Sequence, residues 1–339
     1  MMARSKRFGL VGMSALLVAG AAAVGLSMGG AGEAPKKTYR IAVIAKSSSN
    51  PVFQAARTGA EDAGRELSQK LGIDVKVEWR TPVNEDAQLQ AQYVEQFASQ
   101  GYDGIAISAS DANVLASSID SAIDRGLAVV TFDSDIPNSK RFAYYGINDE
   151  EAGKTVMREL AKAMGGTAPK GGGKIAILSG NQNATNLNAR IRGVKAELEA
   201  LKDKGFTLKE VYYTKETASD AAAMVQQVQT ANPDIAGWAM VGGWPLFTQN
   251  ALDGVYDKAK IVSVDHLPEQ LGYVKNGQVA ALIGQDCYGW GYQSVVMLVD
   301  KLHNNKAPEK VINNFPLSVV TKANVGEYEG LWNKWLKRK

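Results

Sequence analysis

Cysteine and histidine are nearly absent from this chain. Cys287 stands alone, and His266 and His303 are the only two histidines. A single thiol cannot form an intramolecular disulfide, so the fold must be held by its core, and Cys287 reads as a small buried hydrophobe. With so few soft ligands a His/Cys metal site is not expected, and neither is a cofactor. Phosphate loops are missing as well. No G-x-G-x-x-G opens a helix, and the Gly- and Lys-bearing stretch 166–174 precedes its strand, whereas a phosphate loop follows one. No G-x-S-x-G elbow occurs. A Ser–His–Asp triad would have to use His266 or His303; His266 reads as structural or exposed, and His303 sits in a polar helix end, KLHNNK. These absences count against hydrolase and dehydrogenase chemistry and leave a carboxylate-only enzyme as the alternative; the expectation is that the chain is not an enzyme. An excess of one charge is also lacking. The formal net charge of +3 comes from Arg4, Lys6 and Arg7, which leaves 35 basic residues against 35 acidic ones. A neutral remainder gives no electrostatic reason for nucleic-acid binding.

What is present is an ordinary globular composition, 339 residues with 45% apolar and 22% charged, enough for two domains with cores of their own. The N-terminus has a basic start, Arg4–Arg7, then an uncharged run, Phe8–Leu26, then small residues, Ser27–Gly32. That is the order of a secretory signal peptide, here assigned to residues 1–31, and it places the mature protein in the periplasm or outside the cytoplasmic membrane. An uncleaved anchor is the alternative, since the Phe8–Leu26 run could just span a bilayer.

From Tyr39 the pattern alternates strand and helix. Ile41–Ala45 is a short apolar run of the kind buried on both faces. A polar loop, Lys46–Asn50, follows, then Pro51, suited to a helix start. Phe53, Ala56, Ala60, Ala63 and Leu67 then recur at helical spacing. Further strands are expected at Ile73–Trp79, Gly104–Ser108, Leu127–Phe132 and Arg141–Gly146, with helices at Val52–Lys70, Glu85–Gln100 and Asn113–Arg125. Gly72, Gly101 and Gly126 stand where these helices should stop. The theme then restarts. IAILSGNQNA parallels IAVIAKSSSN, and later strands are expected at Thr207–Tyr213, Ile235–Val241, Ile261–Asp265 and Val279–Gly284. The total is about ten strands, counted one per repeated unit. Repeated βα units make parallel sheets. A closed eight-stranded barrel is one arrangement; the restart after Gly146 favours two open sheets.

Polar residues cluster after the strands: Asn50 and Phe53, then Asp133–Ser134–Asp135, then Asn186, Asn188 and Arg190, then Gly242–Gly243–Trp244, then Asp265, then Gln285. In parallel sheets such loops share the carboxyl-end side, where ligands bind. The residue types suit a neutral polyol. Carboxylate and amide oxygens accept from sugar hydroxyls, Arg and amide nitrogens donate to them, and Phe53 and Trp244 can cover an apolar ring face. The candidate ligand-binding residues are Asn50, Phe53, Asp133, Ser134, Arg190, Trp244, Asp265 and Gln285.

The segments SSNPVF, GYDGIAISASDAN, AVVTFDSD, GINDEEAGK, NARIRGVKAEL, IVSVDHLPE and ALIGQDCYGWGYQSV, in this order and spacing, resemble the type I periplasmic sugar-binding proteins. These are the ribose-binding-protein-like solute receptors of ABC transporters. The resemblance runs from about Thr38 to the C-terminus. It implies an α/β fold of two Rossmann-like lobes with parallel sheets, joined by a three-segment hinge. The N-terminal lobe would be residues 38–146 plus 286–314, and the C-terminal lobe 147–285 plus 315–339. Asn50, Phe53 and Asp133 match ligand contacts of the first lobe, and Arg190, Asp265 and Gln285 match those of the second lobe and hinge. The chain departs from ribose binders at Val52, where they commonly have a second aromatic, at Ser134, where they have Arg, and near Gly242 and Gly243, where they have an Asn-Asp pair. Trp244 stands close by and can replace the lost contact. The function implied is binding of one monosaccharide in the cleft by a monomer, for delivery to an ABC transporter permease. The alternative partner is a chemoreceptor or sensor kinase reading the loaded form, and neighbouring genes would separate the two. A repressor of this fold would need an N-terminal helix-turn-helix where the signal-like segment stands.

Overall fold

The computed structural model describes residues 37–170 and 172–335; the expected signal peptide lies outside them. The chain begins with the strand β1 (Thr38–Ile44), whose Ile41–Ile44 stretch is completely buried. It then runs through α1 (Val52–Leu71), β2 (Asp74–Trp79), α2 (Ala87–Ser99), β3 (Gly104–Ile107), α3 (Ala112–Asp124), β4 (Ala128–Phe132) and β5 (Ala143–Gly146). Local signals set the ends. Asp86 and Asp111 cap α2 and α3 by accepting backbone N–H bonds. Gly72, at φ 66°, ends α1 in the left-handed region open to a residue without a Cβ.

After β5 the chain leaves this sheet. Helix α4 (Asp149–Ala163) packs on α5 (Thr185–Ala200), which follows β6 (Gly173–Ser179). The second sheet continues with β7 (Phe206–Tyr213), α6 (Ala218–Ala231), β8 (Ile235–Met240), β9 (Lys260–Val264), α7 (Pro268–Lys275) and β10 (Ala281–Gly284). Helix α8 (Cys287–Asn304) then packs back on α1 of the first lobe. The last elements are β11 (Ile312–Asn314), β12 (Ser318–Val320) and α9 (Val325–Trp335).

Each lobe holds a six-stranded sheet. The orders are β11-β5-β4-β3-β1-β2 and β12-β10-β9-β8-β6-β7. Every pairing is parallel except that of β10 with β12. The two orders are the same permutation, so β1 corresponds to β6, β4 to β9 and β5 to β10. The exchanged helices correspond too. α4 leaves the first sheet to lie on α5, and α8 leaves the second to lie on α1. Both contacts are made close by glycines. A Cβ on Gly153 would stand 1.9 Å from Arg190 O, and one on Gly291 would stand 1.8 Å from Ala56 O.

The chain thus passes between sheets three times, after Gly146, after Gly284 and between Asn314 and Ser318. Two open sheets, not a barrel, are what the restart pointed to. The two strands that the periodicity did not indicate are β11 (INN) and β12 (SVV). Three residues at a sheet edge are too short to show alternation.

Candidate functional site

Two acids mark equivalent places in the two lobes. Asp133 follows β4 and Asp265 follows β9, and both have positive φ, 55° and 77°. Each backbone N–H is tied to the neighbouring strand, Asp133 to Tyr145 O at 3.1 Å and Asp265 to Ile283 O at 2.9 Å. A non-glycine residue in this region carries strain of order 1 kcal/mol or more. The same strain at both strand ends turns the two carboxylates into one space between the sheets.

That space is lined by Lys46, Asn50, Val52 and Phe53 of the first lobe, by Asn186, Arg190, Glu216 and Trp244 of the second, and by Gln285 and Trp290 at and after the second crossing, with Asp133 and Asp265 facing across it. The open volume is about 20 Å³, room for about one water, because the polar side chains hydrogen-bond to one another. Asp133 accepts from Ser108 Oγ at 2.7 Å and, across the lobes, from Asn186 Nδ2 at 3.0 Å. Asp265 accepts from Gln285 Nε2 at 2.6 Å and from the Gly243 N–H at 3.3 Å. Arg190 is buried and donates from Nε to Asp149 at 2.8 Å, from Nη1 to Val241 O at 3.0 Å and from Nη2 to Gln285 Oε1 at 2.9 Å. One guanidinium therefore joins the first crossing, through Asp149, to the second, through Gln285. Burial pushes the Asp149 carboxyl up to about 6 despite its Arg190 partner. Burial also raises Asp265, opposed by Arg190 and Gln285.

Seven of the eight expected residues meet in this space, and Ser134 does not. Its hydroxyl lies 3.4 Å from Thr185 Oγ1 and its carbonyl accepts from Ala109 N–H, so it joins the lobes beside the cavity without lining it. The left-handed turn at Asp133 gives the cavity to the Asp133 side chain, and Asp135 is engaged by Arg141 instead. Asn50 Oδ1 accepts from Val52 N–H at 3.3 Å, which leaves its amide nitrogen as a donor. Phe53 is buried against Trp290, with ring centroids 5.9 Å apart. Lys46 opens the loop Lys46–Phe53 that the sequence marks as a candidate ligand-contact segment, without being singled out there, and Glu216 and Trp290 are not indicated by the sequence. Gln90 is a further hidden determinant. It donates from Nε2 to Ala45 O and Ser108 O, each at 2.8 Å, and accepts from Ser110 N–H, fixing the loops after β1 and β3.

Beside this space lies an outer cleft of about 730 Å³, lined by Ser47 and Asn84 of the first lobe and by Asn181, Tyr213 and Thr214 of the second.

A scan of known families matches residues 41–306 to the periplasmic binding protein domain. The chain belongs to this family. Its relatives include the D-ribose/D-allose-binding protein of Pseudomonas aeruginosa, 25% identical over 265 residues, which are 75% of this chain and 78% of the relative. Among solved structures, an ABC transporter solute-binding protein from Burkholderia graminis in complex with D-arabinose is 29% identical. It superposes with a TM-score of 0.76, covering 87% of this chain and 99% of the other. A sugar ABC transporter's sugar-binding protein from Bacillus halodurans is 26% identical at a TM-score of 0.69, covering 86% and 99%. The family's type I fold, two α/β lobes around a cleft, is the fold found here. Among the described residues no helix is long and apolar enough to cross a membrane, and no group of His, Cys, Asp and Glu could hold a metal ion.

Next to Asp265, His266 belongs to the core. It is 2% exposed, lies 5.7 Å from the Trp332 ring and 5.1 Å from the Tyr328 ring of α9, and occupies the space a Cβ on Gly284 would need. Burial pushes the imidazole down to about 4. Its folded pKa is therefore below the unfolded value of about 6.5. The stability it supports is full above that value and is lost as pH falls through about 4. Urea unfolding at pH 7 and pH 4.5 should show a loss of about 2 to 3 kcal/mol from this group, at about 1.4 kcal/mol per pH unit. His266→Gln should lack that share. An acid dependence unchanged in the variant would contradict the reading.

Proposed function

We propose that this protein is an exported solute-binding protein. It takes one neutral monosaccharide (a pentose, a hexose or a related polyol) between its lobes, closes by a hinge motion about the three crossings, and delivers the sugar to an ABC transporter permease. The observation that carries this reading is the pair Asp133 and Asp265. They are strained at equivalent strand ends, one from each lobe, and meet in one space with Arg190, Asn50, Phe53 and Trp244. The carboxylates of Asp133 and Asp265, the amides of Asn50, Asn186 and Gln285 and the Arg190 guanidinium provide acceptors and donors for hydroxyls, and the aromatics provide apolar faces. Names of relatives that bind ribose, allose or arabinose support the same ligand class.

A sugar must make its own room here. Opening the lobes breaks the Asn186–Asp133 contact, and a ligand hydroxyl on Asp265 joins the Gln285 and Gly243 donors at the lone pairs they leave free. Only a ligand that restores these bonds avoids leaving buried groups unpaired, at about 1–3 kcal/mol each, which is the source of specificity. A ligand that touches both lobes favours the closed form by its differential affinity. A thermal-shift screen of pentoses, hexoses, polyols and inositols tests the reading. A sugar at a thousand times its Kd should stabilise the fold by about 4 kcal/mol and raise the melting temperature. No shift with any member of the panel would contradict it.

A further inference from the structure

The loop between β7 and α6 carries a carboxyl that hydroxyl recognition does not account for. Glu216 lines both the inner space and the outer cleft, so its side chain is part of the wall between them. It crosses to the first lobe. Lys46 Nζ, from the loop after β1, stands 3.6 Å from Glu216 Oε2 and 3.0 Å from Glu85 Oε1, Glu85 lying just before α2. The three side chains are 3%, 8% and 14% exposed in the order Lys46, Glu216, Glu85. Asn181 braces both acids, its backbone N–H donating to Glu216 Oε1 at 3.0 Å and its Nδ2 to Glu85 Oε2 at 2.8 Å. Gly180 supplies the space, since a Cβ there would stand 2.5 Å from Glu216 Cγ and Oε1.

Lys46 and Glu85 are the charged groups that face Glu216 from the first lobe. Asp133 acts on Lys46 from the inner side, while Lys215 and Asp220 lie on the outer cleft. One buried cation thus serves two carboxyl groups, which converge on it from the two lobes and share the Asn181 brace. Two ionised carboxylates buried around one ammonium repel each other, and a proton taken up by one of them removes that repulsion.

We infer that Glu216 is a positioning residue that latches the second lobe onto the first over the ligand space, and that this latch closes with uptake of one proton. In an open cleft Glu216 is solvated and ionised. Closing takes one proton from solvent onto the Glu216–Glu85 pair, and opening returns it. Burial pushes the Glu216 carboxyl up to about 8, with Lys46 opposing and Glu85 reinforcing. Lys46 itself is held above its usual value, its carboxylate neighbours outweighing burial. A group raised from an ordinary 4.5 to about 8 stabilises the closed form fully below the first value, and this is lost as pH rises through the second. Glu85 is lowered by Lys46 and its hydrogen bonds against burial, so it acts in the opposite sense only in acid, below the range needed here.

The test needs no ligand, so it stands apart from the sugar assignment. Spin labels at Val83→Cys in the first lobe and Gln227→Cys on α6 report the distance between lobes, and the native Cys287 is buried. Without sugar, the closed-to-open ratio should fall by close to tenfold per pH unit from about pH 5.5 to about pH 8 and level off above. Glu216→Gln, neutral and of the same shape, should hold one ratio across that range. Gly180→Ala, which displaces Glu216, should be more open at pH 6 and equally insensitive to pH. Melting curves confirm that both variants fold. The same pH response in Glu216→Gln as in the unmodified protein, or a distance independent of pH in the latter, would overturn the inference.

Discussion

Asp265→Asn is expected to weaken sugar binding by about thirtyfold or more, about 2 kcal/mol, while leaving the protein folded. Asparagine tolerates the left-handed backbone that Asp265 adopts at φ 77°, so the turn after β9 survives. What is lost is a charged acceptor. Asp265 takes bonds from Gln285 and from the Gly243 N–H, and a sugar hydroxyl would bond the same carboxylate. Hydrogen bonds to charged groups contribute about 1.5–3 kcal/mol, and unpairing a buried donor costs about as much again. Titration calorimetry with the sugar that raises the melting temperature most would measure the loss. An affinity within threefold of the unmodified protein would remove Asp265 from the site.

Arg190→Met should be the most destabilising single change in the cleft. The guanidinium is 3% exposed and bonds to Asp149, Val241 O and Gln285. Removing it leaves the Asp149 carboxylate buried without its cation, and such losses cost about 3–5 kcal/mol. Asp149 is already raised to about 6 by burial, so without Arg190 it takes up a proton and the fold loses stability as pH rises. Adding Asp149→Asn to Arg190→Met removes the unpaired charge and should return at least about 1 kcal/mol. Urea unfolding of the two variants and of the double variant makes the comparison. Additive losses would show that the Arg190–Asp149 pair does not couple the crossings.

Much of this architecture was legible because apolar strands alternate with amphipathic helices from Tyr39 onward. The likeness of IAVIAKSSSN to IAILSGNQNA announced the correspondence of β1 with β6. Asp133 and Asp265 were legible for a local reason, each being a carboxylate directly after a buried strand. Ser134 follows the same strand, but the turn at Asp133 that aims one side chain into the space diverts the next. Lys46 reads as an ordinary loop lysine, and Glu216 as one more polar residue in TKETASD. Only the folding of two lobes onto each other makes them partners across 170 positions of chain. Trp290 is buried in the core of the first lobe as well as lining the space, so its two roles separate only in three dimensions. The crossings of α4 and α8, and the short β11 and β12, depend on tertiary pairing that local periodicity does not encode.

The central claim is that one sugar is held between the two lobes by acids from both. A crystal structure of the protein with the sugar that gives the largest thermal shift tests it most directly. The account predicts the sugar between the sheets, with hydroxyls within hydrogen-bonding distance of Asp133 and Asp265 and a ring face against Phe53 or Trp244. A sugar bound to one lobe alone, or anywhere outside this cleft, would contradict it.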